Sequence, residues 1–518
     1  MAPAIGARLD RALASLPQQH PGPAGAVAVL RDGEVLARHA WGWADTARRI
    51  PFTPETMFLV CSITKQFTCA LLLDRFADPS VLDGDLRARL PDLQEAAPDV
   101  LALCHNQSGL RDYWATAMLC GSPAEAPFGP AQAARLIGRS RTLQFRPRTR
   151  SSYVNQNFRL LSDLIEARAG TPYADLLRSR ILDPAGMPHA RLNPDTSAVP
   201  GGTLGYEGSV EDGFQPATNR IHWAGDAGLA ASLDDMIAWE RFIDATRDQA
   251  DGLYNRLSAP QTFDDGAPAF YGFGLGRSTL LGRVVTSHGG GLRGWRSTRL
   301  NAPAERISVV VLFNHMTDPR AAAQTLFAAV LDELPVTVRA PSGPLPVGCF
   351  QEPKTGLAVR LEQTPDQRLR LRYGTGAELL SPAEDGSWAG GATRLRRLAD
   401  GLWMDRLSEN QSSLLAPCSG EAKTDVEGVF HCAEYDATLT CVLAGGVAYG
   451  AFSGDLGQGS MEMLQPFAPD IWLLPCPRAL DSAAPGDWTL QFERDDGRQV
   501  FGVRVGCWLA RDLRFVRR

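Results

Sequence analysis

Near Pro335 the hydrophobic period of this 518-residue chain changes, and that break constrains the fold more than any other feature. Upstream of it, amphipathic stretches of helical period cover residues 9–16, 66–75, 132–137, 158–168, 233–244 and 321–331. Strand-like runs bracket them. Residues 25–30 and 34–40, joined by the tight turn Asp32-Gly33, stand in front, and residues 282–287 and 307–313 stand behind. Strands at both ends with helices between predict one antiparallel sheet closed by N- and C-terminal strands, with a helical lobe beside it. This is an α/β (α+β) domain over residues 1–335. Downstream, residues 340–346 read Ala-Pro-Ser-Gly-Pro-Leu-Pro, a linker composition. Beyond it short alternating strands are separated by turn residues. A second linker falls at residues 416–420. Gly348-Cys-Phe350 and Gly428-Val-Phe430 open two strand-rich blocks, and Leu402-Trp-Met404 is echoed by Ile471-Trp-Leu473. The repeat predicts two similar small β-barrel domains, 346–416 and 421–518.

Composition excludes several functions. A net charge of −6 with no clustered Lys/Arg stripe argues against nucleic acid as a partner. No apolar run approaches the roughly 18–20 residues of a membrane helix, so no membrane partner is expected. The opening Met1-Ala-Pro-Ala-Ile-Gly-Ala-Arg lacks a basic n-region and apolar h-region, so a cytoplasmic location is expected. The ten cysteines form no CxxC pair and read as free thiols. No metal-ligand spacing, GxGxxG or Walker loop occurs, so neither a metal nor a cofactor is expected. Lysine is rare: only Lys65, Lys354 and Lys423 occur among 52 basic residues. Arginine stays charged in proteins, whereas a desolvated lysine can lose its proton and act as a base.

Lys65 closes the motif Ser62-Ile-Thr-Lys65, just before the apolar run Phe67-Thr-Cys-Ala-Leu-Leu-Leu73. Positions i and i+3 share a helix face, so the serine hydroxyl and lysine amine can meet. A neutral amine there can take the serine proton and activate the nucleophile. The bland alternative is an N-capping serine with an exposed lysine. Ser152-Tyr-Val-Asn155 follows ahead of a helix. Tyr153 can share proton transfer with Lys65, its pKa lowered by a neighbouring ammonium, and Asn155 can hold a substrate carbonyl through its amide nitrogen. Ser287-His-Gly-Gly-Gly291 then ends a strand. Gly289, Gly290 and Gly291 let a substrate backbone approach, and the N–H groups of Gly291 and Ser62 can form an oxyanion hole. An ordinary Tyr/Asn turn and a satisfied strand histidine are the alternatives here.

These three motifs, in this order, resemble those of the penicillin-recognising serine hydrolases, the serine β-lactamase-like family that includes class C β-lactamases and D,D-peptidases. Its S-x-x-K, Y-x-N and K/H-x-G motifs match Ser62–Lys65, Tyr153–Asn155 and His288–Gly290. Thr53-Pro-Glu-Thr-Met-Phe58 and Asn106-Gln-Ser-Gly-Leu110 also fit. The whole chain is similar to the D-stereospecific aminopeptidase branch of that family. The similar stretches include Val60-Cys-Ser-Ile-Thr-Lys-Gln-Phe-Thr-Cys69, Asn106 to Trp114, Pro216-Ala-Thr-Asn-Arg-Ile221 and Val505-Gly-Cys-Trp-Leu-Ala-Arg511. The resemblance implies two C-terminal eight-stranded antiparallel barrels, a homodimer, and small D-amino-acid amides or peptides as substrates. It also implies that a loop of the last barrel, Pro477 to Asp487, enters the active site, and that Asp481 meets the substrate's free α-ammonium. A neutral His288 suits an enzyme that holds no substrate carboxylate. Arg293 and Arg296 close by weaken that argument. A D,D-carboxypeptidase, β-lactamase or esterase is the same chemistry on another substrate. A non-catalytic peptidoglycan-sensing module is the alternative of a different class.

Overall fold

The computed structural model describes residues 3–332, 345–391, 393–481 and 484–518. Pro335 and residues 340–344 of the expected linker lie outside the described residues. One eight-stranded antiparallel sheet organises the N-terminal domain. Its order is Tyr271–Gly272, Leu275–Leu280, Arg283–Leu292, Trp295–Ala302, Ile307–Phe313, Ala24–Arg31, Glu34–Asp45 and Ile50–Pro51. The first long strand lies against the last, Ala28 opposite Val310, so the sheet is closed by strands from both ends of the domain, as the sequence predicts. Asp32 and Gly33 both take positive φ, 54° and 77°, the conformation a two-residue hairpin turn requires.

Two inner strands, Ile307–Phe313 and Ala24–Arg31, are buried on both faces, and their alternation sorts two cores. Val27, Val29, Val309 and Val311 face Leu9 and Leu16 of the helix Pro3–Gln19 and Leu326 and Phe327 of Pro319–Leu331. Ala26, Ala28, Val310 and Leu312 face the helical lobe, whose core includes Phe67, Leu71, Phe158, Leu161 and Trp239. Each such large side chain contributes about 1.5–3 kcal/mol on full burial. The helix Leu233–Thr246 starts at Ser232, which forms a reciprocal capping box with Asp235. Its Glu240 holds Arg299 in a fully buried bidentate pair with both contacts 2.7 Å, locking the helix to the sheet.

Both C-terminal units are barrels that close with eight strands. In the first, nine strand segments run from Gly348–Gln351 to Ala416–Pro417. The last two, Gln411–Leu414 and Ala416–Pro417, are one run interrupted at Leu415. That run pairs with Gly401–Arg406 on one side and returns to Gly348–Gln351 on the other. In the second, Glu462–Met463 and Gln465–Ala468 are likewise one interrupted strand. It bridges Val447–Gly454 to Ile471–Leu474, and the N–H of Leu464 bonds the carbonyl of Ala448 at 2.9 Å. The short pair Gly457–Gln458 is an appendage to this ring. Alternating Val359, Leu361, Leu369, Leu371, Leu395 and Met404 fill the first barrel.

The last barrel is welded to the helical lobe, and its interior apolar residues join the lobe's core. The fully buried Arg111 bonds the carbonyls of Thr142, Arg511 and Asp512 and pairs with Glu434 at 3.3 Å. Between the barrels, Glu409 is gripped by Arg406, Arg511 and Trp508. Burial alone would raise its pKa, but Arg511 and Arg406 pull it down to about 2. Among the described residues no helix is long and apolar enough to cross a membrane.

Candidate active site

Ser62 lies in a single 3₁₀ turn, Cys61–Ile63, that runs into the helix Thr64–Arg75. Cys61 is held at φ 52°, in the left-handed region that non-glycine residues rarely occupy. The strand Arg283–Leu292 crosses directly against this turn. A Cβ on Gly290 would fall 2.2 Å from the carbonyl oxygen of Val60 and 2.2 Å from Ser297 Oγ, so that position needs glycine. Ser297 Oγ in turn donates to the Val60 carbonyl at 2.9 Å.

Helical spacing brings Lys65 Nζ to 2.9 Å from Ser62 Oγ. The amine also reaches Asn155 Oδ1 at 2.9 Å and the Asp226 carbonyl at 2.7 Å. Three acceptors match the three protons of an ammonium. Of these partners only Ser62 can donate in return, so a neutral amine must aim its lone pair at the serine O–H. Burial drives the Lys65 pKa down to about 8, against the opposing pull of Asp226, Asp481 and Asp112. A neutral fraction of the base is therefore present near neutral pH and becomes the major form above about pH 8.

The Tyr153 hydroxyl faces Ser62, and its ring centroid lies 5.0 Å from Lys65 Nζ. The lowered phenol pKa expected from the sequence is not found. Burial raises it well above the ordinary value, with Asp481, Asp112 and Asp226 adding to the rise and Ser62 opposing it. Asn155 also differs from expectation. Its Oδ1 faces Lys65, its Nδ2 donates to Asp112 Oδ2 at 2.9 Å, and it is not among the residues that line the cavity.

His288 is buried with its ring tied on both sides. Nδ1 lies 2.6 Å from the Gly289 carbonyl and must donate to it, which leaves Nε2 to accept from Tyr271 Oη at 3.0 Å. Burial, followed by the Lys65 charge, drops its pKa to about 3, so the ring is neutral at working pH as expected. On one side of its strand, pairing with Leu275–Leu280 ends at Ser287, and the His288–Leu292 portion pairs only with Trp295–Ala302. That segment presents an open backbone edge.

Ser62, Tyr153, His288 and Gly289 to Gly291 line one cavity of about 600 Å³, and Asp481 lines it too. The last barrel thus delivers an acidic side chain to the nucleophile's cavity. The loop is pinned by the buried Ala479 and Leu480 and by Arg293, whose Nη1 bonds the Ala479 carbonyl at 2.6 Å. Arg293 also donates to the Thr218 and Ala124 carbonyls. Arg293 is thus held by backbone carbonyls and is not among the residues that line the cavity, so it is not placed to hold a substrate carboxylate there. Arg296 does line the cavity, where burial lowers its pKa and Asp481 opposes that shift. Residues 482–483 of the loop lie outside the described residues.

Sequence reasoning missed Asp112 and Asp226. Asp226 supplies the carbonyl that Lys65 bonds, while its carboxylate accepts from the Tyr113 hydroxyl and the Ala224 N–H. Neither carries a spacing signal toward Lys65. Among the described residues no group of His, Cys, Asp and Glu is placed to hold a metal ion.

Residues 9–332 match the family model described as Beta-lactamase, and residues 343–516 match that described as D-aminopeptidase, domain B. The D-aminopeptidase of Gluconobacter oxydans (strain 621H) is 56% identical over 527 residues, covering 100% of both chains. The chain belongs to the D-aminopeptidases of the β-lactamase-like family. Its kinship with other D-aminopeptidases is similar along the whole length: that of Brucella canis (strain ATCC 23365 / NCTC 10854 / RM-666) is 48% identical over 510 residues, 98% of each chain. Among solved structures, the octameric penicillin-binding protein homologue from Pyrococcus abyssi shares the fold over 99% of both chains, with TM-score 0.52 and 17% identity. The D-amino acid amidase from Ochrobactrum anthropi SV3, complexed with D-phenylalanine, covers 64% of this chain and 98% of its own, with TM-score 0.50 and 20% identity.

Proposed function

We propose that this protein releases the N-terminal D-amino acid, of D-alanine type, from small peptides and amides through an acyl-enzyme on Ser62. The observation that carries this reading is that Asp481, from the last barrel, lines the same cavity as Ser62. In it, neutral Lys65 takes the serine proton as Ser62 Oγ attacks the scissile carbonyl. The proton then passes to the leaving amine, with the protonated Tyr153 hydroxyl bridging the transfer. The N–H groups of Ser62 and Gly291 hold the developing oxyanion. Gly289 and Gly290 leave the strand edge open to the substrate backbone, and His288 stays neutral and fixes the edge of the cavity. Asn155 orients Lys65. Water then attacks the ester by the reverse proton route, with no cofactor. The functional division follows the domains 1–335, 346–416 and 421–518, with the specificity loop at residues 477–487. A homodimer in the cytoplasm completes the reading.

Asp481 separates an aminopeptidase from a carboxypeptidase, β-lactamase or esterase built on the same centre. A buried substrate ammonium needs an anionic partner, and losing that partner costs a few kcal/mol. Asp481→Ala is expected to lower kcat/KM for D-alanine amide roughly 10²-fold, and to change that for N-acetyl-D-alanine amide far less. Equal losses on the two substrates would reduce the loop to structural support.

A further inference from the structure

The carboxylate of Asp112 is fully buried inside the lobe and is not among the groups that line the cavity. One oxygen has an ordinary task. Asp112 is the N-cap of the helix Tyr113–Leu119, and Oδ1 accepts the N–H of Trp114 at 2.9 Å. Serine or threonine could do as much. The second oxygen does more. Oδ2 accepts the backbone N–H of Asn155 at 2.6 Å and Asn155 Nδ2 at 2.9 Å. Asn155 is the first residue of the helix Asn155–Ala169, so its N–H has no partner within that helix. A carboxylate can only accept and an ammonium can only donate. Asp112 on one end and Lys65 on the other therefore allow the Asn155 amide a single orientation. The N–H of Asp112 itself bonds the carbonyl of Leu509 in the last barrel at 2.9 Å, which fixes the residue from a second domain.

We propose that Asp112 is a positioning residue for the reaction, acting through Asn155 to aim the Lys65 amine at Ser62, with the last barrel bracing it through Leu509. The inference rests on Lys65 being the base. It gives Asp112 two separable effects. As an acceptor it holds Asn155 in place. As a charge it favours the ammonium form of Lys65, together with Asp226 and Asp481, while Cys61 also faces the amine. Asp112 in turn faces Asp481 and the hydroxyls of Tyr113 and Tyr153, with Cys507 behind it. Burial pushes its own pKa up to about 7, so it is mostly ionised where Lys65 titrates, near pH 8.

Two substitutions separate the effects. Asp112→Asn can turn its amide oxygen to Asn155, keeping that acceptor and removing the charge, while its NH2 then faces the Trp114 N–H and the cap is lost, a cost that the melting curve reads separately. Asp112→Ala removes both. The experiment measures KM and the pH profile of kcat at saturating D-alanine p-nitroanilide, where the bound ammonium no longer titrates freely, for wild type and both variants, with thermal melting of each. Asp112→Ala is expected to lower kcat roughly 10²-fold at nearly constant KM, the scale of a misplaced catalytic group. Asp112→Asn is expected to lose less rate, and its rising limb moves to lower pH because an anion near Lys65 has gone. A folded Asp112→Ala with wild-type kcat, or an Asp112→Asn limb that stays in place, overturns the proposal. If the alanine variant does not fold, the asparagine limb alone decides. A wild-type profile with no limb near pH 8 would instead remove Lys65 as the base and this inference with it.

Discussion

Ser62→Ala is expected to abolish turnover, lowering kcat on a D-alanine amide by at least about 10⁴-fold, the scale on which serine hydrolases lose activity without their nucleophile. The hydroxyl is the only member of the Lys65 cluster able to give the amine a proton, since Asn155 Oδ1 and the Asp226 carbonyl can only accept. Without it Lys65 has no proton to take, and among the described residues no other hydroxyl bonds its amine. The fold should hold. Ser62 is only partly buried and lies outside the apolar core, so its Oγ fills no packing role. Substrate binding should also survive, since Asp481 and the open edge at His288–Leu292 are untouched. Steady-state kinetics with D-alanine p-nitroanilide, alongside a melting curve, check this. Normal turnover by a well-folded variant would remove the acyl-enzyme mechanism altogether.

Lys65→Arg is expected to cost roughly 10³-fold in kcat, within the range general-base catalysis supplies. The variant keeps the positive charge but never yields a neutral lone pair. The pH profile provides the second readout. Burial holds the Lys65 pKa near 8, and the working form is the neutral amine, so wild-type kcat at saturating substrate should rise as pH increases through about 8. His288, pushed down to about 3, adds no limb in that range, and Tyr153 is pushed up and stays protonated. In Lys65→Arg the limb should disappear along with the rate. A variant that keeps both rate and limb would show that another group, or water, removes the serine proton.

How much of this was legible in the sequence follows from the range of each contact. Ser62 and Lys65 are three residues apart on one helical run, so local geometry alone predicts the 2.9 Å contact. The paired strands Ala24–Arg31 and Ile307–Phe313 show as near-continuous apolar runs because both faces are buried. Barrel closure was harder to read, since each barrel's closing strand is interrupted, at Leu415 in the first and Leu464 in the second. Asp112 was hidden because its partner Asn155 lies on a different helix, and an N-capping aspartate looks the same whether its second oxygen meets water or a catalytic residue. The Tyr153 pKa was misjudged because spacing reveals a nearby cation but not the burial that outweighs it. The reach of Asp481 into the cavity came only through family resemblance, as no local pattern joins a barrel loop to a distant helix turn.

Hydrolysis of D-amino-acid amides through Ser62, with the substrate ammonium at Asp481, is read out by the ratio of kcat/KM for D- and L-alanine p-nitroanilide. Three anchors, the ammonium at Asp481, the carbonyl at the oxyanion hole and the side chain in the cavity, fix one configuration at the α-carbon. Inverting that carbon breaks at least one of them. A preference of roughly 10²-fold or more for the D-enantiomer is expected, the cost of misplacing a reacting group by about 1 Å. Equal rates on the two enantiomers, or a preference for L, would contradict it.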